Sequence, residues 1–194
     1  MSINIYTLKH PLVLNWISYL INPSLDKINK AELLNKLAIA LLYEVTRKSI
    51  DVRNLYIKYL DFINEIYLIS GKKIHLFCSD LTISQIITKD VTNLIPNLTV
   101  YPVILNWYNN LWDIIPNYQF FPETIQDNNI IIFEEELHAF KVSTIIKNIL
   151  IRKGDINNIQ ICCITCTHHE LEKLNNQYPN VHVYTATIIN NYNI

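Results

Sequence analysis

The sequence predicts an α/β fold: a mainly parallel central sheet flanked by helices, with N-terminal helices before it and an irregular flap at about residues 106–128. Three observations predict it. First, Ile74–Cys78, Ile130–Phe133 and Ile159–Thr165 are nearly continuous apolar runs, as strands buried on both faces require. Second, these runs alternate with helical patterns, the order of a covered parallel sheet. Third, the chain has 194 residues, of which 50% are hydrophobic and 17% charged, enough for a sizeable core and the wrong balance for disorder. Residues 1–194 read as a single domain without linker or repeat.

Residues 11–21 place Leu12, Val13, Trp16, Ile17 and Leu20 on one helical face. Asn22-Pro23-Ser24 then breaks the chain. A helix over about 30–47 carries an apolar stripe of Leu34, Leu37, Ala38, Leu41, Leu42 and Val45. Residues 50–70 are ambiguous. From Gly71 the alternation is regular: strand Ile74–Cys78, a helix over 82–95 that ends before Pro96, and strand Leu98–Leu105. The aromatic stretch 106–128 reads as a hairpin or flap, and Ile130–Phe133 as a strand. A helix over about 143–152 is closed by Gly154. Strand Ile159–Thr165, a helix over 168–177 and strand Val181–Thr185 complete the pattern.

Composition narrows the function classes. Net charge is −1, the only arginines are Arg47, Arg53 and Arg152, and no basic run marks a nucleic-acid footprint. No apolar run reaches the roughly 18 residues of a membrane span. The N-terminal MSINIYTLKHPLVLNW has neither the pattern of a signal peptide nor an Arg/Ser-rich transit composition. Cys78, Cys162, Cys163 and Cys166 are expected to be reduced core thiols, because neighbouring cysteines in a strand point to opposite faces. Cys166 with His168 and His169 lacks the paired spacing of a metal site. Only Gly71 and Gly154 are glycines, where average usage of about 7% predicts roughly 14. With abundant Asn, Ile, Lys and Tyr, that scarcity fits an AT-rich coding genome.

Ligands of open sheets bind beyond the carboxyl ends of the strands, so the ends of Ile74–Cys78 and Ile130–Phe133 are the candidate positions. The second runs through Glu134, Glu135 and Glu136 and on to Ser143 and Thr144. Acids at a strand end bond ribose hydroxyls or hold Mg²⁺ through waters. A glycine turn then aims N–H groups at a phosphate, and a Ser/Thr-started helix adds its positive end. Here LHAFKV, residues 137–142, puts bulky side chains where such a turn needs glycine. The ordinary alternative is a solvated acidic turn, with Ser143 or Thr144 capping the helix. Lys141 offers one cation. Trp107, Tyr108, Trp112 and Tyr118 form either a flap over a ligand or packing of the irregular stretch.

HPLV (His10–Val13), YEVTR (Tyr43–Arg47) and GKK (Gly71–Lys73) come in order, followed by the strand–acid–helix joint, the helix closed by Gly154 and YPNVHVYTATI (Tyr178–Ile188). Together they resemble the uracil phosphoribosyltransferase family over residues 8–189. The resemblance implies a type I phosphoribosyltransferase-like fold, a homodimer, and conversion of uracil and 5-phosphoribosyl diphosphate to UMP and diphosphate with Mg²⁺. Departures fall on the chemistry. CSDLTI (Cys78–Ile83) replaces the family's LRAG segment, and ILNWYN (Ile104–Asn109) its YRD-type segment. EEELHAFKV (Glu134–Val142) replaces DPMLATGGS, and the uracil-binding tail that follows the family's YTA segment is not in the sequence. The resemblance therefore implies a remnant 5-phosphoribosyl diphosphate site of Glu134, Glu135, Lys141, Ser143 and Thr144. It assigns no catalytic, uracil-binding or metal-ligating residue.

The expected function is that of a homologue with impaired or lost catalysis. The alternative is a non-catalytic nucleotide-binding, regulatory or dimerising module, and a further reading rebuilds an enzyme site around Glu134–Glu136 and Lys141. Expected partners are 5-phosphoribosyl diphosphate or UMP, weakly bound, and a second copy, with no nucleic acid and no membrane. Mg²⁺ is expected only with activity. The expected compartment is a plastid that encodes the protein, with the cytoplasm as alternative.

Overall fold

A seven-stranded sheet organises the computed structural model, which describes residues 3–22, 29–69, 71–108, 111–119, 121–126 and 128–190. In chain order the elements are β1 (Asn4–Thr7), α1 (Pro11–Ile21), α2 (Lys30–Thr46), β2 (Val52–Lys58), β3 (Ile63–Ile69), β4 (Ile74–Cys78) and α3 (Leu81–Leu94). Then come β5 (Leu98–Tyr108), β6 (Leu111–Gln119), β7 (Asn129–Glu136), α4 (Ala139–Ile151), β8 (Ile159–Thr167), α5 (His168–Gln177) and β9 (His182–Ile189). The sheet order is β1-β9-β8-β7-β4-β5-β6, and every neighbouring pair is parallel except β5–β6. This is the α/β sheet that the apolar runs predict.

Both faces of the sheet are covered, which is why its strands lack a polar alternation. Leu76, Ile131, Cys162, Ile164 and Tyr184 point to the layer of α1, α2 and α3. Phe77, Ile130, Ile132, Ile161, Cys163 and Val183 point to α4 and α5. Cys162 and Cys163 thus lie on opposite faces, and all four cysteines are buried free thiols. Each fully buried Leu or Ile contributes about 1.5–3 kcal/mol relative to an exposed one. The predicted stripe of α2 is buried in full, from Leu34 to Val45.

Local signals set the helix starts. His10 caps α1 by accepting from the Leu12 N–H, with Pro11 at the first position. Asn29, Asp80 and Thr167 cap α2, α3 and α5 in the same way. On α1, Val13 and Ile17 are buried, but Leu12 is 54% exposed, off the core face that the spacing suggests. The predicted break at Pro23-Ser24 lies outside the described residues.

The ambiguous stretch 50–70 contains an antiparallel ribbon, β2–β3, paired from Val52 with Ile69 to Lys58 with Ile63. The expected hairpin in 106–128 is present: β5 continues to Tyr108 and pairs antiparallel with β6. Two expectations at α4 are corrected. Helix α4 begins at Ala139, not near 143, because Ala139, Val142, Ile146 and Ile149 make one buried face against the sheet. Lys153, not Gly154, takes the left-handed backbone that ends this helix, with φ 62. Gly154 is needed for a different reason: a Cβ there would run into the side chain of Ile149. Edge strand β1 carried too little apolar pattern to be read.

Candidate functional site

The connections β4–α3–β5 run towards one edge of the sheet, and β7–α4–β8–α5–β9 towards the other. The order therefore reverses between β4 and β7, where a ligand crevice is expected beyond the carboxyl ends. Cys78 and Phe133 are register partners at that point. Just past them a cleft of about 430 Å³ is lined by Ser79 and Asp80 after β4, by Glu134, Glu135 and Glu136 of β7, and by Lys141 of α4.

Glu134 is the central group. It is 4% exposed, the Ser79 hydroxyl donates to its Oε2 at 2.5 Å, and its Oε1 has no partner. Burial pushes its carboxyl up to about 7, with the Asp80 charge adding to the effect; the Ser79 hydrogen bond and the Lys141 charge oppose it. A carboxyl that titrates near neutrality is suited to take or give a proton. Two of the other acids are engaged elsewhere. Asp80 Oδ1 accepts from the Thr82 and Ile83 N–H groups that open α3. Glu135 pairs with Lys30 at 2.8 Å, while Glu136 is exposed. Among the described residues no group of three or more such side chains is placed to hold a metal ion. The acids of this cleft do not by themselves make a Mg²⁺ site.

Of the residues singled out in the sequence, Glu134, Glu135 and Lys141 come together at this cleft. The Lys141 ammonium also sits over the Trp112 ring, 4.7 Å from its centroid. Ser143 and Thr144 do not join them, because the earlier start of α4 carries them into its second turn. The Ser143 hydroxyl is buried and donates to Gln177 Oε1 at 2.6 Å. The Thr144 hydroxyl faces the carbonyls of Trp112 and Phe140 at 3.1 and 3.0 Å. Neither caps α4, whose N-cap is His138. Trp107 and Trp112 pair across the β5–β6 ladder, 5.2 Å between centroids, while the side chain of Tyr118 lies outside the described residues. Arg47 pairs with Glu44 at 3.4 Å on the exposed end of α2.

The joint between β7 and α4 consists of Leu137 and His138. Two N–H groups here, those of Leu137 and Ala139, are spent within the protein. The Leu137 N–H donates to the Thr165 carbonyl at 2.9 Å. The Ala139 N–H, at the positive end of α4, donates to Glu170 Oε2 at 2.7 Å. Burial raises the Glu170 carboxyl, but the Lys173 hydrogen bond and the Ala139 N–H outweigh it and hold it below the usual range, so it stays charged. An anion of the protein's own therefore occupies the helix end that would attract a phosphate. No residue of the joint has positive φ; among the described residues only Asn97 and Lys153 do.

Sequence reasoning missed Ser79, Asp80, Thr165 and Glu170. Ser79 and Asp80 were within reach, since they follow directly on a strand end already identified. Glu170 carried a misleading signal. Thr167 and Glu170 have the spacing of a capping box, in which the acid serves its own helix. Instead Glu170 reaches across to α4.

The chain is 27% identical over 185 residues to the uracil phosphoribosyltransferase of Dictyoglomus turgidum, covering 92% of this chain and 85% of that protein. With the protein of the same name from Brucella ovis it shares 25% identity over 179 residues, covering 92% and 85%. The fold resembles that of the AQ2163 protein from Aquifex aeolicus, with TM-score 0.78, 15% identity and coverage of 97% of this chain and 89% of that one. No protein-family model matches the chain. The resemblance to uracil phosphoribosyltransferases thus runs along nearly the whole sequence.

Proposed function

We propose that this chain, a divergent relative of proteins named uracil phosphoribosyltransferase, retains a phosphoribosyltransferase scaffold on which catalysis is impaired or lost. The observation that carries this reading is the Glu170 carboxylate on the Ala139 N–H. Three further features support it: a joint without left-handed residues, an acidic cleft and no arginine lining it. Each charged hydrogen bond missing at a diphosphate would cost about 1.5–3 kcal/mol, and several such losses remove both binding and transition-state stabilisation. The purified protein, given uracil and 5-phosphoribosyl diphosphate with Mg²⁺, is expected to form no UMP at the roughly 1–1,000 per second of ordinary enzymes. UMP formation in that range would overturn the reading.

The β2–β3 ribbon favours the further reading of a dimerising module. It forms a sheet of its own, apart from the central one. It exposes Val52, Leu55, Tyr56, Phe62, Ile63 and Tyr67, among others, on both faces. A lone two-stranded hairpin is marginal in water. Exposed apolar side chains gathered on one ribbon mark an interaction surface more often than a free one. A second copy is the proposed cover. Sedimentation is expected to show a dimer, and Tyr56→Glu with Tyr67→Glu a monomer; a wild-type monomer at micromolar concentration rules the dimer out.

A further inference from the structure

A second polar cavity lies at the opposite end of β4 from the acidic cleft. It measures about 420 Å³, and its lining includes Lys73, His75, Asn97, Thr99, Tyr101 and Asn128. Among the described residues no carboxylate lines it. Asn97 holds φ 60 here, and its carbonyl accepts from the Ile74 N–H at 3.0 Å. That turn fixes the mouth of the cavity to the start of the strand.

His75 is the unusual member. It is 4% exposed, and neither ring nitrogen has a hydrogen-bond partner. Buried polar groups are nearly always paired, so an imidazole left without a partner on a polar cavity calls for an explanation. The ring lies among Tyr101 and Phe77, with centroids 5.3 and 6.4 Å away, and neither neighbour accepts or donates a hydrogen bond to it. Burial, and then the nearby Lys73 charge, lower its basicity and favour the neutral ring. A neutral ring offers one donor and one acceptor, and Lys73 adds a cation beside it.

We propose that this cavity binds a small oxyanion, the phosphate or carboxylate group of a metabolite, with Lys73 supplying charge, His75 a donor, and the amides and hydroxyls the remaining hydrogen bonds. The site is separate from the Glu134 cleft and does not rest on the fate of catalysis there. The test is a titration of the intact protein, followed by the ¹⁵N resonances of its imidazoles. His75 is assigned by the signals that His75→Phe removes. Inorganic phosphate and acetate are added separately to about 10 mM, well above a millimolar Kd. At least one is expected to shift the His75 signals saturably, and which one does so distinguishes a phosphate ligand from a carboxylate. The shift is expected to vanish in Lys73→Gln and to persist in Glu134→Gln. No saturable shift with either anion, or a shift that survives Lys73→Gln, would overturn the proposal. A thermal scan adds a second reading: His75→Phe is expected to melt at or above the wild type, whereas a marked fall would make His75 a packing residue and overturn its role.

Discussion

At its carboxyl end β4 runs into Ser79 and Asp80, beside the three glutamates that end β7; at its amino end it is flanked by Lys73 and carries His75. The two ends share one strand and differ in how their polar groups are used. At the carboxyl end most groups have an internal partner: Asp80 caps α3, Glu135 holds Lys30, Ser79 serves one oxygen of Glu134, and Glu170 sits on the end of α4, leaving Glu134 Oε1 unpaired. At the amino end neither ring nitrogen of His75 has a partner. A site most of whose donors and acceptors satisfy one another must break those bonds to take a ligand. A cavity with unpaired groups gains bonds on binding.

The largest test of this contrast removes a buried aromatic side chain of β4 that lies between its two ends. Phe77 is fully buried and stacks on Tyr101 and Phe121, with centroids 5.2 and 4.8 Å away. Phe77→Ala is expected to cost about 3–5 kcal/mol in urea unfolding. Hydrogen exchange should speed up most around 97–101, leaving Ser79 and Asp80 less affected. Equal acceleration at both ends would mean that they are not independent.

Next in size is the pH dependence of Glu134. Its folded value near 7 lies above the ordinary 4.5 of an exposed glutamate, so between these limits the folded state holds more protons than the unfolded one. Its contribution to stability is therefore complete below pH 4.5 and is lost as pH rises through about 7. At 1.36 kcal/mol per pH unit the loss is about 3 kcal/mol at most. Glu134→Gln is expected to flatten stability over that range. A slope unchanged by the substitution would show that Glu134 does not titrate there.

The smallest effect reverses the filling of the α4 end. Glu170→Gln weakens the bond to the Ala139 N–H and removes an anion, at an expected cost of about 1 kcal/mol. The same variant should gain a thermal shift with inorganic diphosphate that the wild type lacks. If diphosphate stabilises both proteins equally, the Glu170 carboxylate is not what keeps anions out.

Much of the sheet was legible because burial on both faces writes itself into sequence as unbroken runs such as Ile130–Phe133, and α2 because its stripe recurs at helical spacing. The β2–β3 ribbon was not, since its strands expose apolar residues on both faces and carry no inside–outside alternation. The start of α4 was misplaced for another reason. Ser143 and Thr144 look like caps, while the real beginning rests on an acid 31 residues away along the chain. The same limit hid the state of Glu134, whose Ser79 partner is 55 residues distant.

The sequence by itself determined the layers, the order of the buried strands β4, β5, β7, β8 and β9 and the placing of acids at the end of β7, because periodicity and strand ends are local properties. Only the tertiary structure decided that Glu134 is buried and titrates near 7, that Glu170 reaches across to the Ala139 N–H of α4, and that His75 is left unpaired. Each depends on which group from a distant segment comes within hydrogen-bonding distance. Electrostatics inside a protein is set by such neighbours and by exclusion of water, neither of which residue spacing records.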